Sequence, residues 1–366
     1  MFNIKLPTGL SSFQVVPKSF LGIDIGTSAI KVVEISKWGN RNRLENYGEI
    51  RSEFLYQKQF RTFEKSTLTL STADIAKGIK AIFEETGIKN KKAYMSLPDF
   101  ASFFTWFELP PMTEEEVPQA VASAARQYIP LPLSEVTLDW QIIEGRIERK
   151  TPLKVLLVAV PNEVINQFQE IASLTKIELH ALEAEVFGLI RSVTMETDKD
   201  SLLLLDVGAR STTISVADGQ VLKRTHSFDM AGTDFVDVIS KSMGVDYQKA
   251  EELKKKYGIS AIDNKNEGIK VREVLLPLVD LIISEAGKIS QNYFQIENKM
   301  IQKAVLAGGE ALMPGFADYF SERLKISSAI ANPFSNLFFT PILEKDLKLM
   351  GPGYAIAVGM ALGGLE

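Results

Sequence analysis

Two aspartate–glycine turns carry the chemistry of this chain. The stretch Phe20-Leu-Gly-Ile-Asp-Ile-Gly-Thr-Ser-Ala-Ile-Lys-Val-Val-Glu-Ile35 places Asp24 two residues before Gly26, then Thr27, Ser28 and Lys31. A carboxylate there suits a hydrated Mg²⁺, which takes one or two carboxylates together with water and phosphate oxygens. Gly26 allows close backbone approach, and successive N–H groups in such a turn can face an anion. Lys31 supplies a point charge for phosphate. The pattern returns in Leu202-Leu-Leu-Leu-Asp-Val-Gly-Ala-Arg-Ser-Thr-Thr-Ile-Ser-Val216, with Asp206, Gly208, Ala209 and Ser211. A single turn of this kind often only reverses a hairpin. Two in matching contexts predict two similar domains that face each other across a nucleotide. A third segment, Ala307-Gly308-Gly309, joins a strand to a helix and would let a flat base or ribose lie against backbone. Neither a Gly-x-x-x-x-Gly-Lys-Ser/Thr loop nor a Gly-x-Gly-x-x-Gly after a strand is present, so the P-loop and dinucleotide-fold readings lose support.

Each turn needs a strand on either side. Phe20–Ile25 is apolar apart from Asp24, and Lys31–Ile35 is rich in β-branched residues, so both read as strands. Thr72 reads as an N-cap for a helix carrying Ile75, Ile79, Ile82 and Phe83, closed by Gly87. Tyr94–Leu97, Ala101–Leu109 and Val155–Val160 read as strands. Thr113-x-x-Glu116 resembles a capping box ahead of a face of Val117, Val121, Ala124, Ala125 and Tyr128, with Pro118 near its start. Asn162 reads as the cap of a helix with Ile165, Phe168, Ile171 and Ala172. Phe103, Phe104, Trp106 and Phe107 read as core, with a peptide groove as the alternative. Asp246 reads as a cap, Asp263–Gly268 as a loop, and Leu275–Tyr293 as a long helix with Pro277 as a kink site. Tyr354–Leu362 reads as a short closing helix of small residues.

The expected organisation is an arm over 1–19, a first core over 20–91, an inserted α/β subdomain over 92–176 and a second core over 199–351. Segments 177–198 and 352–366 complete the first core, and a helical subdomain spans about 245–299. A chain of 366 residues is long enough for two or more domains. Its formal net charge of −5 gives no electrostatic case for nucleic acid. The absence of cysteine excludes disulfides, thiolate metal sites and cysteine nucleophiles. With His180 and His226 as the only histidines, a histidine-rich metal site is excluded. Met1–Ser19 contains Pro7, Gly9 and Pro17 and does not read as a secretory signal. No run approaches the roughly 18–20 apolar residues of a membrane span, so no direct membrane insertion is expected.

The order Asp24-x-Gly26-Thr27-Ser28-x-x-Lys31, Asp206-x-Gly208, Ala307-Gly308-Gly309 and an Ala/Gly-rich last helix resembles the actin, sugar-kinase and heat-shock-chaperone superfamily. Within it the chain resembles the PilM family of type IV pilus assembly proteins, relatives of the cell-division protein FtsA. The most specific part is Ile129-Pro-Leu-Pro-Leu-Ser-Glu-Val-Thr-Leu-Asp-Trp-Gln141; Ala250-Glu251-x-Leu253-Lys254 also fits.

The resemblance implies an actin-like (ribonuclease H-like) two-domain α/β ATPase fold with an FtsA/PilM-type inserted subdomain. It implies ATP and Mg²⁺ as cofactors, with Asp24 and Asp206 beside the metal. Gly26, Thr27, Ser28 and Lys31 would cradle phosphate from one side, and Gly208, Ala209 and Ser211 from the other. Glu251 and Lys254 would lie near ribose or base, and Gly308, Gly309 and Glu310 would form the adenosine motif. The implied partner is the N-terminal cytoplasmic peptide of a PilN-like inner-membrane protein, held in a groove of the inserted subdomain, with Phe103, Trp106 and Tyr128 as lining candidates. Other pilus platform proteins and motor ATPases would be reached indirectly, and a homo-oligomer is one assembly the resemblance admits. The implied location is the cytoplasm, at the inner face of the inner membrane, in support of pilus extension, retraction and twitching motility.

Arg210 stands where strongly hydrolytic relatives often carry glycine, which points to a slow ATPase at most. A hydrolase also needs a group to orient water, for which Glu183 and Glu185 are the candidates. The alternative functions are an FtsA-like filament-forming scaffold and a small-molecule kinase on the same fold.

Overall fold

The computed structural model describes residues 4–5, 18–39, 41–52, 61–64, 67–147, 151–195, 197–260 and 266–366. The chain opens with β1 (Ile4–Lys5), β2 (Ser19–Ile25), β3 (Ala29–Trp38), β4 (Arg41–Arg51), the hairpin β5 (Arg61–Glu64) and β6 (Thr67–Leu70), α1 (Thr72–Thr86) and β7 (Lys92–Leu97). Next come β8 (Phe103–Leu109), α2 (Val117–Tyr128), β9 (Val136–Glu144), β10 (Leu153–Pro161), α3 (Asn162–Thr175), β11 (Glu178–Ala184) and α4 (Glu185–Val193). A second set holds β12 (Ser201–Val207), β13 (Thr212–Asp218), β14 (Val221–Phe228), α5 (Gly232–Met243), α6 (Tyr247–Tyr257) and α7 (Asn266–Glu297). It continues through β15 (Lys303–Ala307), α8 (Phe316–Leu324), β16 (Ser327–Ile330), β17 (Leu337–Phe338) and α9 (Glu344–Leu365).

Two sheets share one plan. The first runs β1-β11-β7-β2-β3-β4-β17 and the second β14-β13-β12-β15-β16. In each, an antiparallel three-strand meander (β2-β3-β4, β12-β13-β14) is followed by two parallel strands (β7 and β11, β15 and β16). Parallel neighbours need a crossover, usually a helix. In the second sheet α8 makes it, and in the first α3 makes it. This places β7 and α3 in the first core, so the inserted layer is narrower than the expected 92–176. It consists of the antiparallel sheet β8-β10-β9 with α2 on one face. Phe107, Leu109, Val155, Leu157 and Ala159 pack under Val117, Val121 and Ala125, while Leu156, Val158 and Val160 turn the other face into an apolar cluster that holds residues of both cores.

Helix α9 crosses back to cover the first sheet. Contact is close enough to require glycine: a Cβ at Gly22 would fall on the Ala357 carbonyl, and one at Gly359 on the backbone of Gly188 in α4. The helix starts at Glu344 and holds Pro352 internally, well ahead of the expected start. Helix α7 likewise begins at Asn266, inside the expected 263–268 loop, and contains Pro277. The residue flanking α1 as N-cap is Ser71, not Thr72, and its hydroxyl donates to Asp74 at 2.6 Å. Of the arm, Ile4 and Lys5 pair with Leu182 and Ala181; residues 1–3 and 6–17 lie outside the described residues. Among those described, no helix is long and apolar enough to cross a membrane.

Candidate functional site

The two hairpins are the same turn built twice. Asp24 and Lys31 are direct cross-strand partners, as are Asp206 and Thr213. The Gly26 N–H donates to the Ala29 carbonyl at 2.9 Å, and the Gly208 N–H to the Ser211 carbonyl at 3.0 Å. A Cβ at Gly26 would sit 2.9 Å from that Ala29 oxygen, and one at Gly208 3.1 Å from that of Ser211. Glycine is therefore favoured at both positions by crowding rather than by positive φ. Asp24 is buried and accepts from Ser96 Oγ at 2.8 Å. Thr27 is buried and Ser28 exposed. The second turn rests on the start of α5: the Gly208 carbonyl accepts from Gly232 N–H at 3.1 Å, and the Ala209 carbonyl from Thr233 N–H at 2.8 Å and Thr233 Oγ1 at 2.7 Å.

The glycine pair sits where β15 ends. Ala307 is level with Asp206 across the parallel pair. Gly308 has φ +85°, and a Cβ there would lie 2.6 Å from Asp206 Oδ1, so the Asp206 carboxylate lies against the Gly308 backbone. The Gly308 N–H donates to the Pro352 carbonyl at 2.9 Å. One residue on, a Cβ at Gly353 would be 3.3 Å from Lys31 Nζ, which lies 5.9 Å from the Tyr354 ring centroid. Lys31 of the first hairpin and Gly308, against which Asp206 of the second hairpin lies, thus meet at one turn of α9, Pro352–Gly353.

A charge cluster flanks this point. Lys254 Nζ stands 2.7 Å from Glu310 Oε1 and 2.9 Å from Glu251 Oε2, and Lys255 reaches Glu251 at 3.1 Å. Burial alone would lower the Lys254 pKa, but the Glu310 and Glu251 carboxylates outweigh it and hold the ammonium above its ordinary value. Glu310 lies over Gly232, where a Cβ would come 2.8 Å from its carboxyl carbon. A carboxylate at the start of α5 is also favoured by the helix dipole. Gly309 faces open space.

Three sequence expectations need correction. Glu183 does not stand ready to orient water. It is buried and bound bidentately by Arg191 at 2.7 and 2.8 Å. Arg191 also donates to the Gly359 carbonyl at 3.0 Å and to Glu366 at 3.2 Å, which pins α9. Glu185 is in a reciprocal cap: its carboxylate accepts from Asp99 N–H at 3.3 Å, and that of Asp99 from Val186 N–H at 3.1 Å. Phe103, Trp106 and Tyr128 do not share a groove. Side chains alternate along a strand, so Phe103 and Trp106 take opposite faces. The Trp106 indole donates to the Leu222 carbonyl at 3.3 Å, with the Arg224 guanidinium 5.5 Å from its ring. Phe103 packs with the α2 layer, where Tyr128 is 48% exposed and stacks on Phe107 at 5.4 Å. Ser96, Gly232, Thr233, Pro352 and Gly353 were not singled out from the sequence. Only the small, hydroxylated start of α5 carried a local signal.

Comparison with known proteins agrees with this architecture. The family model for type IV pilus assembly protein PilM matches residues 22–365. A solved PilM–PilN type IV pilus biogenesis complex superposes with a TM-score of 0.78 at 24% identity, covering 94% of this chain and 98% of that one. Cell division protein FtsA of Enterococcus faecalis is 23% identical over 344 residues, spanning 83% of this chain and 76% of the relative. An MreB of Spiroplasma citri, solved with AMPPNP, gives a TM-score of 0.52 at 13% identity, over 94% of this chain and 95% of that one. These likenesses mark the fold as actin-like. With its duplicated sheets and a family match over nearly its whole length, the chain belongs to the type IV pilus assembly protein PilM family.

Proposed function

We propose that this chain is a cytoplasmic, nucleotide-binding component of the type IV pilus inner-membrane platform. It holds ATP with Mg²⁺ between its two cores and the N-terminal tail of a PilN-like membrane protein on its inserted subdomain. The observation that carries this reading is that Lys31 of the first hairpin and Gly308, which backs Asp206 of the second, meet at Pro352–Gly353. There each core offers a carboxylate and a small turn, with open space at Gly309. Asp24 and Asp206 supply the hard oxygens that Mg²⁺ takes beside water and phosphate. Lys31, Thr27 and Ser28 meet phosphate from one side, and Gly208, Ala209 and Ser211 from the other. Glu251, Lys254 and the Gly308-Gly309-Glu310 turn border the nucleoside. The bound nucleotide would supply a bridge between the cores whose strength depends on their relative angle.

The ion pair that occupies Glu183 favours slow hydrolysis, since it removes the expected water-orienting group. The MreB neighbour solved with AMPPNP supports nucleotide at this fold, and the PilM–PilN complex supports a PilN-like partner and recruitment to the membrane. Calorimetric titration with ATP and Mg²⁺ tests the site. Micromolar binding lost in folded Asp24→Ala/Lys31→Ala protein is expected; no binding by folded wild-type protein would overturn it.

A further inference from the structure

The inserted subdomain belongs by chain connection to the first core: it leaves from β7 and returns through α3. Asn162 at the start of α3 accepts from Thr137 Oγ1 at 2.8 Å and donates to the Ser134 carbonyl at 3.0 Å, but the ion pairs of the subdomain go elsewhere. Lys154 on β10 pairs with Glu297 at the end of α7 at 2.5 Å, with side chains 16% and 10% exposed. Lys223 on β14, 6% exposed, pairs with Glu144 on β9. The Trp106 indole on β8 donates to the Leu222 carbonyl on β14, and Arg224, beneath that ring, donates to Asn292 on α7 at 3.3 Å. All three strands of the inserted sheet therefore hold the second core. Burial would raise the Glu144 pKa, but Lys223, Lys154 and Lys299 hold it below the ordinary carboxylate range. The contact is also breakable. Glu144 and Lys154 line an open cavity of about 470 Å³ with Glu108, Arg146 and Thr151, so water reaches both ion pairs.

We propose that these contacts form a latch by which the inserted subdomain follows the second core, although it is covalently part of the first. A change of angle between the cores then moves it against the first core, and so carries the state of the nucleotide cleft to the partner-binding subdomain. The latch stands on the contacts alone; the link to nucleotide rests on the function proposed above. Two covalent attachments to one body and a set of ion pairs to the other make the inserted sheet a lever, because relative motion must be taken up on the side without the ion pairs.

The chain lacks cysteine, so spin labels can be placed singly at will. Label pairs Gln119→Cys/Ser242→Cys and Gln119→Cys/Glu84→Cys report the distances from α2 to the second and first cores. All three positions are exposed. In nucleotide-free full-length protein, the α2-to-second-core distance is expected to be narrow. Lys154→Ala/Lys223→Ala should broaden it, and the exchange Lys154→Glu/Glu297→Lys should keep it narrow where Glu297→Lys alone does not. An unchanged distribution in the folded double-alanine protein overturns the latch, whatever the nucleotide does. With ATP and Mg²⁺ added, the α2-to-first-core distance should shift while the α2-to-second-core distance holds. The reverse result overturns the coupling. Failure to bind ATP at all overturns the coupling together with the proposed function, and leaves the latch to be judged by the nucleotide-free variants.

Discussion

Arg191→Met tests whether Glu183 is structural. Glu183 is 1% exposed, and both its oxygens accept from Arg191, at 2.7 and 2.8 Å. Removing the guanidinium leaves a carboxylate with no cation under α9, and also leaves the Gly359 carbonyl without that donor. Breaking a buried pair from one side costs about 3–5 kcal/mol. For a domain of roughly 150–250 residues, each kcal/mol lowers the melting midpoint by about 2–4 °C. The expected loss is thus about 6–20 °C in the transition of the first core. The double variant Glu183→Gln/Arg191→Met removes both charges together and should recover most of this. Scanning calorimetry on wild type, single and double variants gives the comparison, with ATP turnover measured on the double. A single variant melting within about 2 °C of wild type would refute the ion-pair argument. A double variant that is stable yet has lost wild-type turnover would return Glu183 to a catalytic role.

Three further outcomes follow from the same geometry. Gly308→Ala forces a side chain to φ +85° and against Asp206. It should cost about 1–3 kcal/mol and abolish the calorimetric signal for ATP, whereas Gly309→Ala, which faces open space, should leave stability nearly unchanged and weaken only the ATP signal. Lys254 has a folded pKa above its unfolded 10.5, so its stabilisation is full below pH 10.5 and is lost as pH rises through the folded value. Wild-type melting should fall more steeply above pH 10.5 than that of Lys254→Met. Glu144 has a folded pKa below its unfolded 4.5, so its contribution is present above pH 4.5 and lost as pH falls through the folded value. Hydrogen exchange in β9 and β14 should rise on that acid side in wild type and be less pH-dependent in Glu144→Gln.

The hairpins were legible because their signal is local: an apolar strand, Asp-x-Gly and a β-branched strand lie within sixteen residues. The partner of Glu183 was not, because Arg191 sits on the next element and meets it only once α4 folds over β11. The start of α9 was hidden by Gly351-Pro352-Gly353, which reads as a break. Packing overrides it. Gly351 lies against Pro333 and Gly353 against Lys31, and the Pro352 carbonyl takes a bond from Gly308. The edges of the insert are not legible, because nothing in Lys92–Leu97 distinguishes a strand of one sheet from a strand of the next. The opposite faces of Phe103 and Trp106 were open to inference from strand alternation alone.

The backbone contact between Gly22 and α9 sets an order on biogenesis. The face of β2 that α9 covers is completed by residues 344–365, which leave the ribosome after every strand of both sheets. The second core can close beforehand, since its own helices α5–α8 precede α9. Folding therefore finishes at the domain whose synthesis began first, and until then that domain shows an open glycine-lined face to chaperones and proteases. A nascent chain arrested before Glu344 should be digested across 18–97 while the second core resists.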